Sequence, residues 1–151
     1  MPAVGTAVGT LTIAGKAAPL THVYALPQPD RLDRTKEAVL IVLTSAAVTP
    51  AQAADPRELQ RMMRANQLHA VSVVLRELKT VDSAQLYDAG FGFSTAVSIG
   101  ASTIRFEPDT ADGTAMSGRL STLRPGTNSG VSFEFSLTFN AQVRRAGATV
   151  P

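Results

Sequence analysis

Val131-Ser132-Phe133-Glu134-Phe135-Ser136-Leu137-Thr138-Phe139-Asn140 alternates apolar and polar residues without an exception. A period of two puts every apolar side chain on one face of a β-strand and every polar one on the other. Each of the five apolar side chains, fully buried, contributes roughly 1.5–3 kcal/mol. A one-residue slip would expose all of them, so the register of this strand is strongly determined. The stretch therefore asks for a sheet with one packed face and one wet face.

The same reading extends outward along the chain. Met116, Gly118 and Leu120 alternate with Ser117, Arg119 and Ser121, and Leu11 and Ile13 alternate with Thr10 and Thr12. Asp112-Gly113 is a turn signal between extended segments. Further strands are expected near 20–26, 70–78, 84–88, 96–99 and 102–106, with Pro27 and Pro29 ending the one at 20–26. Ala89-Gly90-Phe91-Gly92-Phe93 reads as a bend.

Ala38-Val39-Leu40-Ile41-Val42-Leu43 breaks the alternation, being apolar on both faces. A strand of this kind is buried on both sides. The cover for its second face follows in the chain. Asp55 fits a helix N-cap, Pro56 the first helical position and Glu58 the third, as in a capping box. Leu59, Met62 and Met63 fall at helical spacing, and Asn66 fits a stop. The expectation is mainly β: an antiparallel sandwich or flattened barrel of seven or eight strands. One short helix at 55–66 plugs an end or covers a face. The 151 residues make a single domain, 1–151, with flexible tails at 1–6 and 144–151.

Composition narrows the function classes. The formal net charge is +2, and the Lys and Arg residues are scattered rather than clustered, which argues against nucleic acid. There is no Trp for stacking single strands and no Cys for disulfides, thiolate chemistry or Cys-bound metal. No stretch approaches the roughly 20 apolar residues of a membrane span, and no signal peptide is visible at the start. Charged residues are only 17%, so Ser, Thr, Asn and Gln carry much of the surface, as in many β-rich exported proteins.

His22 and Tyr24 share one strand face, and with Asp30 or Asp33 they would make an acid–base group. No nucleophile motif accompanies them, and a plain strand role is the stronger reading. His69, between helix and strand, reads as a cap or interface residue. Gly90-Phe91-Gly92-Phe93 lacks the third glycine and the helix of a dinucleotide site. Phe91, Phe93 and Phe106 are core residues that would line a pocket if the barrel enclosed one. Glu107, Asp109 and Asp112 read as a solvated hairpin loop rather than a calcium site. No metal spacing and no cofactor motif is present. Arg57, Arg61 and Arg64 line one side of the expected helix, as its wet face or as an interaction face.

Gly9-Thr10-Leu11, Gly15-Lys16 and His22-Val23-Tyr24-Ala25, followed by an apolar strand, a helix, a hairpin arm and a closing strand, have a familiar order. It resembles that of small uncharacterised bacterial proteins, usually exported, that carry one such domain. The resemblance implies a periplasmic or secreted location. It carries no activity, and no functional residue is transferred. The leading reading is a non-catalytic binding or interaction module for an unknown protein or small ligand. The alternatives are a carrier with an internal apolar pocket and an enzyme built around His22.

Overall fold

A computed structural model of the chain describes residues 2–30, 32–92, 95–112 and 114–143. Its strands are β1 (Thr6–Ile13), β2 (Lys16–Pro19), β3 (His22–Pro29), β4 (Glu37–Thr44), β5 (Ala70–Arg76) and β6 (Thr80–Tyr87). They continue as β7 (Val97–Ile99), β8 (Ile104–Ala111), β9 (Ala115–Thr122), β10 (Gly126–Asn128) and β11 (Val131–Gln142). Two helices, α1 (Pro50–Ala53) and α2 (Pro56–Arg64), lie between β4 and β5. The strands form one antiparallel half-barrel sheet in the order β7-β6-β5-β4-β3-β1-β11-β9-β8. β2 pairs with β1, and β10 with β11, beside that path.

The strand count exceeds the expected seven or eight, and the sheet is continuous rather than split into a sandwich. The added strands are short. β2 returns from the Ala14-Gly15 turn, and Phe133 of β11 lies directly over Gly126 of β10, where a Cβ would stand 2.5 Å from its ring. The sheet curls around one core that draws on both its ends, from Val97 of β7 to Ile104 of β8, through Leu11, Ile41, Val73 and Phe139. Phe133, Phe135, Leu137 and Phe139 of β11 all face this core, as their alternation requires.

A second, smaller core lies on the outer face. Leu26, Leu40, Val42, Ala70 and Tyr87 from β3 to β6 meet Ala53 of α1, Leu59 and Met63 of α2, and Leu68. This is the cover that the doubly apolar β4 requires. Asp55 caps α2 by accepting the Arg57 N–H at 3.0 Å. The expected capping box at Asp55 and Glu58 is not formed: the Asp55 N–H goes to the Gln52 carbonyl, and Glu58 pairs with Arg61. A complete capping box stands one helix earlier, between Thr49 and Gln52. Asn66 ends α2 in a left-handed conformation, φ 57°, with its N–H on Met63 O and that of Gln67 on Met62 O. This is the double bond of a Schellman ending.

β3 runs on through Pro27 and ends only at Pro29. The Val23 N–H points away from β4 to Gly5 O, so the alternate positions 25, 27 and 29 face the same way. The prolines remove N–H groups only from that side, where β1 no longer pairs, and so blunt an open edge. β5 is shorter than the expected strand to Leu78. Glu77 and Leu78 have φ of 53° and 61° and form the tight turn into β6. At the N-terminus, the expected flexible segment 1–6 supplies Thr6 to β1, and the Gly5 N–H bonds Asn140 O at 2.7 Å. The expected tail 144–151, Phe93 and Gly113 lie outside the described residues.

Candidate functional site

The acid–base group proposed around His22 is not assembled. His22 opens β3 and Asp30 follows its last residue, a separation of roughly 26 Å along an extended strand. Each partner has a structural task. The Tyr24 hydroxyl accepts the Val48 N–H at 2.8 Å and ties the loop before α1 to the sheet. Asp30 is buried, accepts the Leu32 N–H at 2.8 Å, and receives Arg76 Nε at 3.0 and 3.1 Å. Its carboxyl is held below the usual range chiefly by the Leu32 N–H, with Arg76 assisting against burial. Asp33 accepts from the Thr35 hydroxyl and N–H, which lower its pKa in the same way.

The aromatic candidates are packing residues. Phe91 is buried, with its ring centroid 6.3 Å from that of Phe133. Phe106 stacks on Phe139 at 6.2 Å. Three concavities among the described residues open to the surface, and neither Phe91 nor Phe106 lines any of them. The arginine face of α2 is exposed, but Arg61 is held by Glu58, whose pKa it lowers. Asp112 Oδ1 accepts from the N–H groups of Thr114 and Ala115 and from the Thr114 hydroxyl, which is a turn and not a cation shell. Among the described residues no three His, Asp or Glu side chains converge as metal ligands.

Two features stand outside the candidates of the sequence. The first is the polar surface into which the wet faces of the alternating strands combine. β1, β11 and β9 turn Val8, Thr10, Ser132, Glu134, Ser136, Thr138 and Arg119 outward, and all are exposed. Neither helix reaches this half of the outer face, and only its end at Ser117 and Asn140 is covered, where Asn140 Nδ2 donates to the Pro2 carbonyl at 3.0 Å. A shallow groove of about 260 Å³ crosses it between Thr10, Thr12, Arg119, Ser121, Glu134 and Ser136. Arg119 donates to the Ser136 hydroxyl at 2.9 Å.

The second is a row at one end of the sheet. Thr44, Ala70 and Tyr87 are in register on β4, β5 and β6. One residue beyond each stand Ser45, His69 and Asp88. His69 Nδ1 lies 2.8 Å from Asp88 Oδ2, and the Ser45 Oγ accepts the His69 N–H at 2.9 Å. Asp88 Oδ1 accepts the Gly90 N–H at 2.7 Å. Strand register brings these three together across 43 positions of sequence, so no local motif announces them.

Fold and sites define a single-sheet antiparallel β half-barrel with two short helices on part of its outer face. Comparison with known proteins adds nothing narrower: no protein-family model, curated protein or solved structure matches this chain. No helix among the described residues is long and apolar enough to cross a membrane.

Proposed function

We propose that the protein is an interaction module that presents the uncovered half of its outer sheet face, β1, β11 and β9, to a partner outside the cytoplasm of a bacterium. The observation that carries this reading is the division of one face into two. Over β3 to β6 it is closed by helices, while over β1, β11 and β9 it is open and polar. Open hydroxyls interspersed with Arg119, Glu134 and an exposed Val8 offer both hydrogen bonds and a small apolar contact. The sheet edges contribute less. β8 carries Pro108 and a bulge beside it, β3 carries Pro27 and Pro29, and β7 has only three residues. Such edges resist strand addition. The location rests on the sparsely charged surface and on the resemblance to exported bacterial domains.

A photo-crosslinking residue placed at Val8 tests the reading in cells of the organism that carries the gene. Leu32, equally exposed but off this face, is the control. A discrete adduct from Val8 and none from Leu32 is expected. Equal or absent adducts from the two positions would overturn it, and fractionation that leaves the protein in the cytoplasm would overturn the location.

A further inference from the structure

Ser45, His69 and Asp88 carry an inference that does not depend on the interaction face. The side chain of Asp88 is only 8% exposed, and its two oxygens are divided between the Gly90 N–H and the His69 ring. A carboxylate only accepts, so it fixes the proton of the neutral imidazole on Nδ1 and leaves Nε2 as the acceptor. The His69 side chain is 39% exposed, enough for solvent or a substrate to reach the ring. Gly90 leaves room for this arrangement. A Cβ there would stand 2.9 Å from Asp88 Oδ1 and 3.0 Å from Ile13.

Ser45 completes the row. A hydroxyl has two acceptor lone pairs and one proton. The His69 N–H occupies one lone pair, and no acceptor among the described residues takes the proton. The amide that points at Oγ also favours negative charge there as the proton departs. A nucleophile, a base and a group that orients the base are three of the roles an acyl-transfer site needs.

We propose that Ser45, His69 and Asp88 form an acyl-transfer site for ester substrates, with Ser45 as nucleophile, His69 as base and Asp88 as the positioning residue. In the reacting geometry the Ser45 hydroxyl gives its proton to Nε2, while Oγ keeps the His69 N–H and bonds to the acyl carbon. The ester C–O bond then breaks, and the alcohol leaves with the proton from Nε2. Water, deprotonated in turn by Nε2, cleaves the acyl–Oγ bond, releasing the acid and restoring the hydroxyl. The site lies on an open strand end, which suits activated esters better than amides.

The test exploits the absence of cysteine from the chain. Ser45→Cys places a single thiol at the nucleophile position, and iodoacetamide reads its ionisation without any substrate. At pH 7 alkylation is expected to run about tenfold faster than in Ser45→Cys/His69→Gln, because a neighbouring base draws the thiol below its free value of about 8.5. Asp88→Asn should move the pH profile of alkylation back toward that of a free thiol. In the unaltered protein, p-nitrophenyl acetate should leave an acetyl group on Ser45, detectable by mass, and His69→Gln should abolish it. Gln retains a donor for Asp88, and a thermal melt confirms that the variant is folded. A thiol with the same pH profile whether or not His69 is present would overturn the proposal. So would acetylation that misses Ser45. Either result would make the row an end-of-strand hydrogen-bond cluster, and neither bears on crosslinking from Val8.

Discussion

The two halves of the outer sheet face belong to one continuous sheet and yet obey opposite rules. On β4, the outward residues Leu40 and Val42 belong to a core beneath α1 and α2. On β11, the outward residues Ser132, Glu134, Ser136 and Thr138 are exposed. A strand's second face thus shows in its own composition whether something lies over it. The covered half is held by packing, and across the middle of the open half the side chains stand in solvent. A charge placed on each half should break this comparison most sharply. Val42→Asp puts an unpaired carboxylate under the helices, where Val42 is wholly buried. The expected cost exceeds about 4 kcal/mol, against a total stability of about 5–15 kcal/mol for an ordinary domain. Chemical denaturation should find the variant unfolded or nearly so.

The next largest effect comes from thinning the cover. Leu59 of α2 is buried against the outer core. Leu59→Ala should cost about 2–5 kcal/mol in denaturant midpoint terms. If α2 were merely laid on the sheet, the loss would fall under 1 kcal/mol, and the covered half would owe its order to β-pairing alone.

The open half is not lax, because its backbone is tightly engaged. Gly9, in the middle of β1, has φ of 133°, and a Cβ there would stand 2.0 Å from the Ser136 carbonyl oxygen. Neither the dihedral nor the space admits a side chain. Gly9→Ala should destabilise the protein by roughly 1–3 kcal/mol, because its one added methyl would meet the backbone of β11. Proteolysis should then open β1 and β11 before the helices.

How far the sequence reveals this division depends on what each signal measures. Alternation in 131–140 and its failure in 38–43 report burial directly, so β11, β4 and the helix cover were legible. The hairpin at Glu77-Leu78 was not, because neither residue is a turn former. Its positive φ values follow from the twist the two strands impose. Pro27 and Pro29 looked like strand breakers because composition does not say which edge of a strand is paired. The row at Ser45, His69 and Asp88 arises only from the register of three strands. His22, Tyr24 and Asp30 were close in sequence, and extension of β3 separates the first from the last.

Acid should affect the covered half through Asp30, the buried carboxylate that closes the connection from β3 to β4. Its pKa is lowered on folding, first by the Leu32 N–H and then, against the opposing effect of burial, by Arg76. A depressed carboxyl contributes stability that is complete above its unfolded pKa of about 3.9 and is lost as pH falls through the lower folded value. Asp30→Asn should flatten stability against pH below about 4, and an unchanged acid limb would assign the protection to other carboxylates, such as Asp33 and Asp112, which are lowered as well.

The smallest effect is the counterpart of the first. Ser136→Asp places a carboxylate on the open half, where Ser136 already receives Arg119 Nη2 at 2.9 Å. The new charge stays in water and meets a guanidinium, so stability should change by less than about 1 kcal/mol. If the proposed partner uses this surface, the same variant should weaken the Val8 crosslink while leaving the thermal melt in place. A large loss of stability from Ser136→Asp would mean that the open half is covered after all in the folded protein. The contrast between Val42 and Ser136 separates a face closed by its own helices from a face left for something else.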